Sequence, residues 1–410
     1  MSDDIVVSRV TAPVGDSKRG SLPEIARLFL RLGVTAFGGP AAHIAMMEEE
    51  VVVRRRWVDR AAFLDLLGVV QVLPGPNSTE LAIHLGHARA GLRGGMLAGF
   101  CFVAPSVLLV WVLAGIASAP GVAGVAALVL WWLAPVVVAV LVDALWKFGR
   151  QAWARPGAAV VMPLVTLVAL LVTADLLVLA AGAVLAMAVL TIPGRRGGGG
   201  LTGASVVTLL FVFGVAWAGL LQAQGVAQGA GPAAPGSGAI LMYFLRAGIS
   251  VFGSGYVLLS YLQHDLVTLR GWISLDALTQ ASALAQMTPG PLFATATAAG
   301  YSIGGHAGAL AATVGIFAPA FASVAVSVPI RRLVQRSALL RAALDGVVIA
   351  SVALLGRAVV GFALPLQPWQ WIACGVATGL MLLRRGSSTL LLLAAVCAGI
   401  VSALLHQLPS

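Results

Sequence analysis

The stretch Gln71–Val72–Leu73–Pro74–Gly75–Pro76 (QVLPGP) returns 215 positions later as Gln286–Met287–Thr288–Pro289–Gly290–Pro291 (QMTPGP). Both copies sit in apolar surroundings. Proline lacks a backbone donor and its ring clashes with the preceding turn, so no unbroken helix is expected through Pro-Gly-Pro. Working outward at the same offset, uncommon residues keep coinciding. Arg31 falls on Arg246, Gly33 on Gly248, Phe37-Gly38 on Phe252-Gly253, Arg55 on Arg270, Trp57 on Trp272 and Phe102 on Phe317. Chance matches in so apolar a chain would be of Ala, Leu or Val; these are of Arg, Trp, Gln and Pro. A fixed period of this kind describes architecture. The reading is an N-terminal tail (1–23), a first module (24–196), a linker (197–238) holding one apolar segment at about 203–222, and a second module (239–410).

Of the 410 residues, 60% are hydrophobic and 10% charged, and the mean hydropathy is +0.98. Soluble domains carry about 25% charged residues, so most of this surface is not made to meet water. Apolar runs of near-spanning length fall at about 93–116, 122–146, 156–172 and 175–192, and again at 305–329, 342–361, 367–383 and 388–406, close to the ~20 residues that cross a hydrocarbon core. The regions before them, 24–90 and 240–303, each hold two apolar stretches broken in the middle. The breaks lie at Gly38-Gly39-Pro40, Pro74-Gly75-Pro76, Gly253-Ser254-Gly255 and Pro289-Gly290-Pro291.

Arginine placement decides how these stretches run. If each broken stretch enters and leaves on one side, then Lys18, Arg19, Arg54 to Arg56, Arg89, Arg93, Lys147, Arg150, Arg155, Arg195 and Arg196 share a face. With one linker span and an inverted second module, Arg331, Arg332, Arg336, Arg341, Arg384 and Arg385 join them, as the positive-inside tendency asks. The expected fold is an all-α polytopic membrane protein of two inverted-topology repeats. Each repeat has two broken-helix re-entrant hairpins followed by four transmembrane helices, and a linker transmembrane helix joins them. The expected setting is a bacterial inner membrane with the N-terminus cytoplasmic, since residues 1–24 show no cleavable signal pattern. The net charge of +10 is read as this topology and not as a nucleic-acid face. Cys101, Cys374 and Cys397 lie in apolar stretches without metal-ligand spacing, so no metal or cofactor is expected.

A helix that starts inside the membrane leaves unpaired N–H groups and the positive end of its dipole at that depth. Anions bind such ends. Helices beginning after Pro40, Pro76, Gly255 and Pro291 would supply four, with Gly38, Gly39, Gly75, Gly253 and Gly290 letting backbone approach a ligand. Further donors are Gln71, Asn77, Ser78, Ser254, Gln286 and Thr288, beside Pro74 and Pro289. Arg31 and Arg246 offer a planar donor fork suited to an oxyanion, or a partner for a nearby carboxylate. His43 either donates to substrate or caps its turn. Glu80 and His84, four apart, with Asp65 on the preceding segment, are candidates to carry a coupled proton or to form a structural pair. Asp143 has Lys147 at i+4.

Residues Arg31 to Pro40 (RLGVTAFGGP), His43-Ile44, Glu50, Trp57, QVLPGP and Phe102 to Pro105 resemble the signature of the chromate ion transporter family. The second copy is seen in Phe252-Gly253, Trp272, Gln286 to Pro291 and Phe317 to Pro319. Ser254-Gly255 stands where the first copy has Gly39-Pro40, so that break is expected to differ in shape. The resemblance is to the long, two-domain members and implies secondary export of chromate, conferring resistance, with sulfate a close mimic of the substrate. An oxyanion channel, or a sulfate transporter without a chromate role, would use the same helix ends. The chain shows no HExxH, GxSxG or P-loop motif, so an enzyme is not expected. Proton coupling and a homodimer are compatible with the sequence.

Overall fold

The computed structural model describes residues 21–37, 39–71, 73–119, 122–172, 175–191, 235–251, 255–383 and 388–407, and among these every regular element is helical. The tail, the linker span expected at 203–222, Arg195, Arg196, Arg384, Arg385, Gly38, Gly253 and Ser254 lie outside the described residues. The first module holds α1 (Leu22–Thr35), α2 (Pro40–Glu48) continuing into a π-helical turn (Glu49–Arg54), α3 (Arg60–Val70), α4 (Asn77–Ala117), α5 (Ala123–Trp153), α6 (Ala158–Leu171) and α7 (Asp175–Thr191). The second holds α8 (Ser237–Ser250), α9 (Gly255–Leu262) with its own π-helical turn (Gln263–Leu269), α10 (Leu275–Met287), a 3₁₀ turn (Leu292–Ala294), α11 (Thr295–Arg336), α12 (Ala338–Ala363), α13 (Pro368–Leu382) and α14 (Ser388–Gln407).

Local sequence explains the boundaries. In α1 the buried residues Ile25, Leu28, Phe29 and Leu32 recur at helical spacing, and Pro23 sits in the first turn, where its missing N–H costs nothing. The Asp59 carboxylate caps α3 by accepting from Ala62 N at 2.7 Å. Ser274, at the matching position of the second module, caps α10 from Ala277 N at 3.1 Å. The chain breaks where proline and glycine demand it: Gly39 has φ +82, Gly75 φ +133 and Gly290 φ +105, values that favour glycine.

The ends of three of the broken stretches come together, two in the first module and one in the second. Glu24, at the start of α1, pairs with Arg55 (3.3 Å) after the α2 run and with Arg89 (3.6 Å). The Arg89 guanidinium lies 5.3 Å from the ring centre of Trp57, just ahead of α3. In the second module Tyr243 of α8 meets Arg270 (5.4 Å) and Trp272 (5.9 Å), which follow α9.

α4 and α11 each turn back on themselves. Ala90–Gly91 and Gly304–Gly305 leave helical geometry, with φ +64 at Gly91 and φ +59 at Gly305. The two limbs of α4 pack backbone to backbone at Gly86 and Gly94, and those of α11 at Gly300 and Gly308. Small residues allow this approach within a bilayer. The matching positions here are 214 apart (90 to 304, 91 to 305), so one residue fewer follows Pro291 than follows Pro76. That corrects the register expected beyond the Pro-Gly-Pro: Phe102 corresponds to Ile316, not Phe317. A Cβ on Gly33 would meet the Phe102 carbonyl oxygen at 2.6 Å, and one on Gly248 the Ile316 oxygen at 2.8 Å.

The halves interlock reciprocally. α7 packs on α12 and α14 on α5. Gly75 N donates to Val251 O (2.8 Å) and Gly290 N to Ala36 O (2.9 Å), so each Pro-Gly-Pro is tied to the other module's first break. Corresponding long helices run antiparallel: α4 meets α11 through Trp111–His306 and Gly99–Phe321, and α5 meets α12 through Arg155–Asp345 and Leu145–Gly356.

Four helices are long and apolar enough to cross a membrane: Asn77–Ala117, Gly124–Trp153, Leu292–Val324 and Ala338–Ala363. Outward faces are greasy; Leu108, Val112 and Ile116 line one side of α4, each more than half exposed, a surface suited to lipid. α6 has 14 residues and α13 has 15, a little shorter than the apolar runs at 156–172 and 367–383 that contain them.

Candidate substrate site

The helix starts that follow the breaks converge. Pro40 and Ile44 of α2, Asn77 of α4 and Tyr256 and Val257 of α9 line one cavity of about 310 Å³. A small pocket of about 20 Å³, which shares Tyr256 and Ser388 with it, touches Gly39, Gln286, Thr288, Gly290 and Leu292. Breaks from both modules therefore meet at one place. Gln71 reaches the larger space and Gln286 the smaller, one amide from each half.

Backbone bonding shows what these starts present. The first internal bond of α2 is His43 N to Gly39 O (3.1 Å); in α4, Thr79 N and Glu80 N both bond Pro76 O (2.8 and 3.0 Å). N–H groups ahead of these positions stand at the positive end of each dipole. The second Pro-Gly-Pro opens through a 3₁₀ turn, Ala294 N to Pro291 O at 3.0 Å, the same three-residue step that Thr79 N makes to Pro76 O.

Several buried polar groups gather behind this surface. Glu80 is fully buried, and neither carboxyl oxygen has a hydrogen-bond partner among the described residues; the same holds for Thr79 Oγ1, His84 Nε2, Ser106 Oγ and both amide atoms of Gln286. Native interiors leave few such groups. Their concentration at one depth marks a site built for something polar. Glu80 sits against the first Pro-Gly-Pro, since a Cβ on Gly75 would lie 2.9 Å from its Oε1, and Ser106 sits in the same way against Gly290. Ser78 and Thr288 are buried here too, with Thr288 Oγ1 donating to Ala285 O at 3.2 Å.

Other candidates take different places. His43 caps its own break: its Nε2 lies 3.0 Å from Ala36 O, the same oxygen that accepts from Gly290 N, and its ring stands edge-on to Phe102. Arg31 does not line the cavity. It is half exposed and ion-paired with Glu50, a buried carboxylate also held by Arg54 (3.1 Å) and Arg55 (3.3 Å). Arg246 lies exposed on α8, and Asp65 lies exposed on α3, away from the interior that holds Glu80 and His84. Arg357 pairs with Asp175 and donates to Val172 O (3.0 Å), tying α12 to the α6–α7 junction.

The cavity also has walls that the sequence does not mark as substrate-binding: Tyr256, Ser351, Ser388, and Asp143, Lys147 and Gln151 of α5 with Arg155 just past its end. Asp143, Lys147 and Gln151 recur every fourth residue along α5, so helical spacing alone puts them on one face, and Arg155 follows two residues past the end of the helix. That this face borders the breaks needed tertiary contacts.

Fold and site together define an all-α, multi-pass membrane protein whose interrupted helices border a cavity with charged and amide side chains in its wall. The chain belongs to the chromate transporter family, whose description matches residues 23–190 and 238–401. It is 33% identical over 361 residues to the "Chromate transport protein" of Pseudomonas aeruginosa, covering 84% of this chain and 81% of that one. It is 27% identical to the "Probable chromate transport protein" of Synechococcus elongatus (83% and 84% covered) and 26% identical to the "Chromate transport protein" of Cupriavidus metallidurans (84% and 83%). No solved structure matches the chain significantly.

Proposed function

We propose that this protein is a secondary, non-enzymatic transporter that moves chromate, and oxyanions of the same shape and charge, outward across a bacterial cell membrane. The observation that carries the reading is the convergence of interrupted helices from both modules on one cavity that has charged and amide side chains in its wall. A dianion losing its water needs fixed donors and positive potential in return. Each helix start offers N–H groups and up to about half a positive charge, in a place no side chain need move to reach. Antiparallel crossing of the matched helices fits two oppositely oriented modules that can rock about a central site. In this reading the N-terminus and the face bearing Arg54 to Arg56, Arg89 and Arg155 are cytoplasmic. Glu80 and His84 carry a proton linked to anion movement, because Glu80 lies directly behind the turn that would cradle the anion.

The test is flux of labelled chromate in proteoliposomes, with pH gradient, voltage and competing sulfate varied separately. Saturable flux that sulfate inhibits is expected, and Glu80→Gln should blunt its response to the pH gradient while leaving the voltage response. Flux that never saturates would indicate a channel instead, and no flux of either anion above empty liposomes would overturn the reading.

A further inference from the structure

The cavity is chemically one-sided. Its walls use α5 from Val140 onward and α12 from Val348 to Leu355. Because these helices are antiparallel, the middle of α12 lies beside the C-terminal part of α5, and the two stretches face each other there. Nearer the other end of α5 the side chains are apolar and buried, as at Leu133, Val136 and Val137, and Ala358 and Phe362 further along α12 are buried too. The polar wall itself runs Asp143, Lys147, Gln151, Arg155 from the helix starts outward.

Asp143 is the deepest of the four and is buried, yet it lies in what the convergent helix starts make an anion site. Its Oδ2 is 2.5 Å from Lys147 Nζ, and Oδ1 has no hydrogen-bond partner among the described residues. The Lys147 side chain is 65% exposed. Arg155, nearer the mouth, is already engaged by Asp345. A bare carboxylate here would repel a dianion. Neutralised by Lys147 it does not, and a pair open to water is held only weakly. Lysine carries a compact charge with three donors on a flexible stem, so it can change partners without moving the helix.

Resting on the transport reading above, we propose that Lys147 captures the tetrahedral dianion from the arginine-rich face, exchanging Asp143 for the anion before it settles at the helix starts. Loading is then confined to that face in the conformation seen here, and Asp143 serves as the stand-in anion that holds Lys147 in position while the site is empty.

Equilibrium binding of labelled chromate to purified full-length protein tests this with Lys147→Gln, Lys147→Arg, Asp143→Asn and the double variant Asp143→Asn/Lys147→Gln. A lost charge-assisted contact should weaken binding about tenfold or more in Lys147→Gln, while Lys147→Arg stays near wild type and Asp143→Asn binds more tightly. The double variant should stay weak. A thiol at Gln151→Cys should react with an impermeant reagent only from the arginine-rich face and be shielded by chromate. Unchanged binding in Lys147→Gln would overturn the proposal. So would wild-type affinity in the double variant, which would assign the single variant's loss to an orphaned carboxylate. If wild type binds neither chromate nor sulfate, it is the transport reading that has failed, and this inference goes with it.

Discussion

Arg31 and Glu80 show how differently two charged residues of one module can be used. Arg31 recurs at Arg246 and has the donor geometry an oxyanion wants, but its guanidinium turns to Glu50, where Arg54 and Arg55 also converge. Glu50 is the buried member of that cluster and needs its cations; Arg31 is half in the open. Arg31→Ala should therefore lower thermal stability in detergent modestly, by roughly 1 kcal/mol given its exposure, and leave chromate affinity within about twofold, since ion pairs this exposed act locally. Lost binding at unchanged stability would return Arg31 to the substrate. Glu80 has the opposite character: fully buried, unpartnered and pressed against a backbone turn. Sequence alone ranked these two by repetition and spacing, which say nothing about which neighbour a long side chain finds.

At the scale of the element, the breaks are legible because proline and glycine act locally. Pro40, Pro74, Pro76 and Pro291 end or start helices wherever they fall, and the described breaks appear where the sequence puts them. The positive-φ glycines differ in what surrounds them, and that was not legible. Gly75 faces Glu80 and Gly290 faces Ser106, whereas Gly271 (φ +59) has open space around it and corresponds to Arg56, a non-glycine at φ +53. Alanine at Gly75 or Gly290 should cost about 1–3 kcal/mol from backbone strain, with steric pressure added. Gly271→Ala should cost only about 1 kcal/mol. Thermal unfolding of the three variants checks the order, and an equal loss in all three would show that the turns tolerate side chains alike. The sharp reversals at Ala90–Gly91 and Gly304–Gly305 fall where the broken regions 24–90 and 240–303 give way to the apolar runs at 93–116 and 305–329; the backbone-to-backbone packing of the two limbs was not legible, because a glycine in an apolar run does not distinguish a turn from a close helix contact.

For the whole molecule, the reciprocal bonds Gly75–Val251 and Gly290–Ala36 require both modules to be present. The antiparallel crossing of matched helices makes a prediction about sidedness. Thiols placed at the exposed positions Arg60 and Asp276, just inside the starts of α3 and α10, should react with an impermeant reagent from opposite faces of the membrane. Asp276→Cys should be labelled on intact cells and Arg60→Cys only after the inner face is opened. Labelling of both from one side would refute the inverted arrangement.

Composition alone determined that this chain is a membrane protein, and its two QxxPGP stretches determined where helices break. Both follow from short-range chemistry: the cost of burying backbone without partners, and what proline does to a helix. Only the tertiary structure decided that the breaks of the two modules meet at one cavity, that Arg31 stays with Glu50, and that Asp143, Lys147, Gln151 and Arg155 stand in the cavity wall. Those outcomes depend on which distant helix lies across from a given side chain, and local propensity carries no information about that.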